Sequence, residues 1–186
     1  MLIPKLRHFL FLLSVLIPVS ALAADEALFK KLGVKAINPV LAPEISLSDN
    51  NGLTISSKNL QGQLILVNFW ATWCSPCLTE MPALDRLYRR YKNQGFSLLA
   101  VNTDSHQRKR INTIARKLAL TFPILLDENE VLSKQFGVSG MPASYVIDRE
   151  GRLIAYIEGA RDWDSETAHE WLENMLAQGQ GDINRK

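Results

Sequence analysis

The run Leu64-Ile65-Leu66-Val67-Asn68-Phe69-Trp70-Ala71-Thr72-Trp73-Cys74-Ser75-Pro76-Cys77 joins a strong strand signal to both cysteines of this 186-residue chain. Leu64 to Trp70 is nearly continuous in apolar and β-branched residues, the pattern of a central strand covered on both faces, and so of a buried parallel sheet. The cysteines follow, with only Ser75 and Pro76 between them. A cross-link stabilises a fold chiefly by restricting a long loop in the unfolded chain, so a ring this small contributes little to folding. Tetrahedral zinc would need two further ligands, and beyond residue 23 the chain offers only His106 and His169, far apart in sequence. Redox chemistry of the dithiol is the remaining reading, with no cofactor or metal called for.

Outward from this run, Leu78, Met81, Leu84, Leu87, Tyr88 and Tyr91 recur at three and four, which predicts a helix from Pro76 to Tyr91 ended by Gly95. A strand at Phe96–Val101, a helix at Gln107–Leu120, a short apolar run at Phe122–Leu126 and a helical segment at Glu128–Phe136 come next. Such alternation indicates an α/β domain with parallel strands. Ser144–Ile147 and Leu153–Ile157 flank Asp148-Arg149-Glu150-Gly151, a loop with hairpin chemistry, and should be antiparallel. Asp162 or Asp164 is expected to cap a last helix whose stripe of Ala168, Trp171, Leu172, Met175 and Leu176 reads as core. Upstream, residues 24–60 read as a loop and hairpin, punctuated by Pro39, Pro43 and Asn50-Asn51-Gly52.

Residues 1–23 have the three zones of a secretory signal: a basic start with Lys5 and Arg7, an apolar stretch from Phe9 to Ala21, and the small-residue box Ala21-Leu22-Ala23. Cleavage after Ala23 is expected. The alternative, an uncleaved anchor, needs about 20 apolar residues to cross the hydrocarbon core, and this stretch is shorter and contains Pro18. Either way the rest of the chain faces the extracytoplasmic side, periplasmic or its equivalent. The formal charge of +2 is the two leader cations, so the remainder is balanced at 19 basic and 19 acidic residues. Charge therefore does not point to a nucleic-acid partner, and Arg108-Lys109-Arg110 reads as the solvated face of a helix. The expected division is signal 1–23, lead-in 24–37, main domain 38–178 and polar tail 179–186.

Taken together, Ala42-Pro43-Glu44 with Gly52, Val67-Asn68-Phe69-Trp70, Trp73-Cys74-x-x-Cys77-x-x-Glu80-x-Pro82, Gly137-Val138-x-Gly140-Met141-Pro142, Ile147-Asp148 and Gly151 resemble the thioredoxin superfamily. More narrowly, they resemble its exported TlpA/ResA/CcmG-like thiol–disulfide oxidoreductases, over about residues 40–177. The resemblance implies a thioredoxin-like fold: a central mixed β-sheet flanked by helices, here with an N-terminal β-hairpin extension. It implies disulfide-containing exported proteins as partners and recharging by a membrane thiol donor of the DsbD/CcdA kind; reduction is the expected direction, because Ser75-Pro76 brings neither a positive charge nor an aromatic donor to the dithiol. Two departures stand out. Asn68 occupies the place of the buried aspartate of cytoplasmic thioredoxins, and Ala143-Ser144 follows Pro142 where CcmG-type proteins usually carry an acidic residue.

The thiolate, not the thiol, attacks a disulfide, so the site must lower a cysteine pKa. With a helix starting near Ser75, Cys74 lies at its positive end, where unpaired N–H groups favour an anion, and Pro76 fits the first turn. That makes Cys74 the attacking thiol and the more shielded Cys77 the resolving one. Pro142 could be an ordinary turn proline; the resemblance implies a cis proline opposite the cysteines, with Met141 presenting backbone groups to an extended substrate strand. Trp73 is assigned to the apolar contact surface and Trp70 to the core. Glu80, one helical turn after Cys77, is either a solvated carboxylate or the acceptor of the Cys77 proton, and with Asn68 in the aspartate's place it is the nearest carboxylate by helical spacing. The rival function is a binding or chaperone module that keeps the cysteines as a switch. A peroxiredoxin-type peroxidase is disfavoured because no Pro-x-x-x-Thr-x-x-Cys setting is present.

Overall fold

A computed structural model describes residues 27–178; the leader at 1–23 and the tail at 179–186 lie outside the described residues. The chain runs β1 (Lys35–Leu41), β2 (Ser46–Ser48), β3 (Thr54–Ser56), a 3-10 turn (Ser57–Leu60), β4 (Leu64–Trp70), α1 (Ser75–Tyr91), β5 (Phe96–Asn102), α2 (Arg108–Lys117), β6 (Ile124–Leu126), α3 (Val131–Gln135), β7 (Ala143–Ile147), β8 (Arg152–Glu158) and α4 (Glu166–Gln178). A short helix at 27–32 precedes β1. The main sheet has the order β1-β8-β7-β4-β5-β6, and β2 pairs with β3 as a separate hairpin.

β4 is the centre of the sheet because six of its seven side chains are apolar or aromatic, and the amide nitrogen of the seventh, Asn68, donates to Glu80 and Ser144. All seven of its residues are buried, with β5 parallel on one side and β7 antiparallel on the other. Its alternate residues feed two cores. Leu66 and Trp70 pack with Met81, Leu84 and Leu87 of α1 and Trp171 and Leu172 of α4. Val67 and Phe69 meet Leu99, Val101, Phe136 and Tyr145 on the other face. The apolar stripes of α1 and α4 thus fall on the sheet as their period demands.

Several boundaries differ from the sequence expectation. The segment with Pro39 is not a loop but β1, an edge strand antiparallel to β8 that crosses the 37/38 division between lead-in and domain. A proline lacks the ladder N–H, and the register of β1 shifts between Ala36 and Val40, around Pro39, as befits an edge. α3 starts later than Glu128 because the Asp127 carboxylate accepts from the N–H groups of Leu132 and Ser133 at 3.1 and 2.8 Å. Neither Asp162 nor Asp164 caps α4. Ser165 does, its hydroxyl accepting from Ala168 N–H at 3.3 Å, while Asp164 is drawn away to Arg86 at 2.6 Å. The hairpin at 46–56 turns at Gly52, whose φ of +92° suits a residue without Cβ, and Asp49 holds it by accepting from Asn51 and Leu53 N–H groups.

Candidate active site

The end of β4 and the start of α1 are joined by a turn whose backbone is pinned from outside. Thr72 N–H donates to the Asp104 carboxylate at 2.7 Å, which Asn102 also contacts at 3.0 Å, and Thr103 N–H donates to the Trp70 carbonyl at 3.1 Å. This delivers Cys74 to the N-cap of α1. Its Sγ accepts from Cys77 N–H at 3.3 Å, and Pro76 stands in the first turn, where a missing N–H costs nothing. The two sulfurs are bonded to each other at 2.01 Å. Cys77 is fully buried and Cys74 nearly so, at 4% exposure, so the difference in shielding is smaller than helical position alone suggested. Trp73 projects outward at 70% exposure, whereas Trp70 is buried beneath the site.

The register Phe69↔Ala143 brings the start of β7 against the end of β4, so Met141 and Pro142 arrive at the cysteine end of the sheet. The Met141–Pro142 bond is cis, and the Thr103 hydroxyl lies 3.8 Å from the Met141 sulfur. Beside the proline is a concavity of about 480 Å³ lined by Phe136, Met141, Pro142, Tyr145 and Tyr156 among others.

Glu80 is neither solvated nor free. It is 4% exposed, and its Oε1 accepts from Asn68 Nδ2 at 2.9 Å while its Oε2 accepts from the Arg161 backbone N–H at 2.9 Å and from Trp163 Nε1 at 3.1 Å. Burial pushes its carboxyl above the ordinary value, and the three donors together with the Arg161 charge pull partly back, leaving it raised. Asn68 also donates to Ser144 Oγ at 3.0 Å, so the amide is a buried bridge between α1, β4 and β7. Arg161, Trp163 and Ser144 had no role in the sequence expectation. The one local hint was an isolated tryptophan within Arg161-Asp162-Trp163-Asp164, an apolar residue in a charged loop.

A dithiol at a helix N-terminus, a buried carboxylate one turn behind it and a cis proline at the adjoining strand end can exchange disulfides with an extended chain. Comparison with known proteins agrees. Residues 40–156 match the AhpC/TSA family. The chain is 33% identical over 135 residues to the thiol-disulfide oxidoreductase ResA of Bacillus thuringiensis subsp. konkukian, covering 73% of this chain and 74% of the relative. It is 36% identical over 118 residues to ResA of Geobacillus thermodenitrificans, covering 63% and 67%. Among solved structures, a thiol:disulfide interchange protein of the thioredoxin family from Chlorobium tepidum is similar at a TM-score of 0.64 and 28% identity, covering 73% of this chain and 98% of that one. StoA from Bacillus subtilis is similar at 0.60 and 25%, covering 74% and 98%. The chain thus belongs to the AhpC/TSA family, with a thioredoxin-like fold and the dithiol of a ResA-type thiol–disulfide oxidoreductase.

Proposed function

We propose that this protein reduces disulfides of exported proteins, with Cys74 attacking and Cys77 resolving. The Cys74 thiolate attacks one sulfur of the client disulfide, the client's other sulfur leaves as a thiolate, and a mixed disulfide forms. The Cys77 proton passes to Glu80, the Cys77 thiolate attacks Cys74 Sγ, and the second client sulfur is released. Two electrons reach the client and the Cys74–Cys77 disulfide is left behind. The single observation that carries this reading is Cys74 at the N-cap of α1, disulfide-bonded to Cys77, which stands one turn before the buried Glu80. A helix N-terminus favours the thiolate at Cys74, and a raised carboxyl pKa suits Glu80 to receive and return a proton.

Trp73, Met141 and Pro142 form the client surface in this reading: an exposed indole for apolar contact and a backbone edge beside the cis bond for an extended strand. Residues 1–23 direct export and are removed after Ala23, leaving a domain that includes β1 and the buried Leu32 and Val34 ahead of it and runs to residue 178, followed by a polar tail. The protein works on the extracytoplasmic side and is recharged there by a membrane dithiol donor of the DsbD/CcdA kind. Among the described residues no helix is long and apolar enough to cross a membrane.

Trapping tests this. Cys77→Ser in the native compartment should accumulate mixed disulfides through Cys74, while Cys74→Ser should accumulate none and reduce no insulin. Equal alkylation rates of the two thiols of the reduced protein at neutral pH would rule out the division of roles. Wild-type protein that binds clients without turning over a disulfide would leave the binding-module reading in its place.

A further inference from the structure

The loop between β8 and α4 reaches Glu80 from one side and the N-terminal segment from the other. Toward the site it offers two donors to the same oxygen, the Arg161 backbone N–H at 2.9 Å and Trp163 Nε1 at 3.1 Å from Glu80 Oε2. Trp163 is fully buried and packs on Trp171 of α4 with ring centroids 6.3 Å apart, so its indole cannot turn away without disrupting the core. Toward the N-terminus, Arg161 Nε donates to the Leu32 carbonyl at 2.7 Å.

That carbonyl is available because of how the helix at 27–32 ends. Gly33 has a φ of +69°, its N–H bonds to Lys30 O at 3.2 Å, and Val34 N–H bonds to Phe29 O at 2.8 Å, the paired closure of a helix with a left-handed residue after its last turn. Among the described residues the closure gives Leu32 O no backbone donor, and the guanidinium supplies one. The fit is close: a Cβ on Gly33 would stand 2.6 Å from Arg161 Nη2. Leu32 and Val34 are themselves buried in the same core as Cys77 and Trp163.

We infer that this loop is a positioning element for Glu80, with Trp163 and the Arg161 backbone holding the carboxylate and the Arg161 guanidinium fastening the loop to the segment at 27–34. The inference rests on the reading of Glu80 as acceptor of the Cys77 proton. Groups facing Glu80 come from the neighbouring elements: the neutral Asn68 amide of β4 with Ser144 of β7 behind it, and from the loop the neutral Trp163 indole and the charge of Arg161, while Cys77 stands one helical turn earlier on α1. Every donor favours the ionised carboxylate. The loop therefore sets the pH above which Glu80 can take a proton from Cys77, and the N-terminal segment holds the loop in place.

The direct test is a titration of the Glu80 side-chain carboxyl carbon by NMR in the oxidised full-length protein, its resonance assigned by loss in Glu80→Gln. Trp163→Phe removes one donor to a charged group and should move the Glu80 midpoint up by about 1 pH unit. Gly33→Ala, which keeps every charge but displaces the guanidinium, should move it in the same direction by less. The acid limb of the disulfide-exchange profile should follow both. A purely structural role would lower the thermal midpoint and leave the carboxyl titration where it was, which overturns the proposal. Should Trp163→Phe not fold, Gly33→Ala decides alone, and an unmoved titration there removes the link to the N-terminal segment. If the titrations move while Glu80→Gln leaves the exchange profile unchanged, Glu80 is positioned by the loop but is not the proton acceptor.

Discussion

Asn68 Nδ2 donates to Glu80 Oε1 at 2.9 Å from the strand beneath α1, so an amide faces the buried carboxylate that stands one helical turn after Cys77. Replacing it by an acid would set two carboxylates within that distance in the same core, and two such groups cannot both ionise cheaply. Asn68→Asp should therefore move the acid limb of the exchange profile to higher pH. It should also lower stability at about pH 8 relative to about pH 5, as read by urea unfolding at both. A stability difference no larger than that of wild type would mean that the pair is relieved by solvent.

Glu80 itself carries a pH dependence whose sign follows from its environment. Its carboxyl is raised in the folded state, chiefly by burial, so the folded protein binds the proton more tightly than the unfolded chain. The stability this contributes is complete below the unfolded value and is lost as pH rises through the folded one. Glu80→Gln has no such proton, so its stability relative to wild type should improve as pH climbs from the ordinary carboxylate range upward. Denaturant midpoints of both proteins across that window check it; parallel curves would mean that the group is unperturbed.

In exchange kinetics the same Glu80→Gln substitution should change the pH profile of turnover while circular dichroism stays unchanged. Superimposable profiles would return Glu80 to a purely structural role.

The reduction potential should lie nearer the reducing end of the thioredoxin-fold scale, which runs from about −270 mV for thioredoxin to about −120 mV for a strong oxidant. Ser75 and Pro76 bring neither a positive charge nor a ring donor to the Cys74 sulfur, which accepts from Cys77 N–H. The helix terminus acts alone, and the lowering of the thiol pKa should be mild. Equilibration against glutathione measures it, and a value near or above about −150 mV would assign the protein to oxidation or isomerisation instead.

The mature protein should begin at Ala24. N-terminal sequencing of the extracytoplasmic pool checks this, and a full-length membrane-bound form would establish the anchor.

Local patterns determined much of the architecture. The apolar run of β4, the three-and-four spacing of α1 and α4, and the Asp148–Gly151 turn are each set by neighbouring residues, because strand and helix periods act over a few positions. The dithiol was equally plain, since Cys74 and Cys77 share one helical turn and the strand-to-helix junction that holds them is continuous in sequence. β1 escaped notice because Pro39 breaks the period that marks a strand, and its partner β8 lies more than a hundred positions away. Glu80 was visible as a residue one turn from Cys77, but not whether it faced water or the core. Only the tertiary structure decided that, by closing the chain so that Trp163, 83 positions on, and Arg161, 81 positions on, reach the same carboxylate oxygen. Contacts of this kind leave no period behind them, because each depends on where two distant elements come to rest and not on the spacing within either.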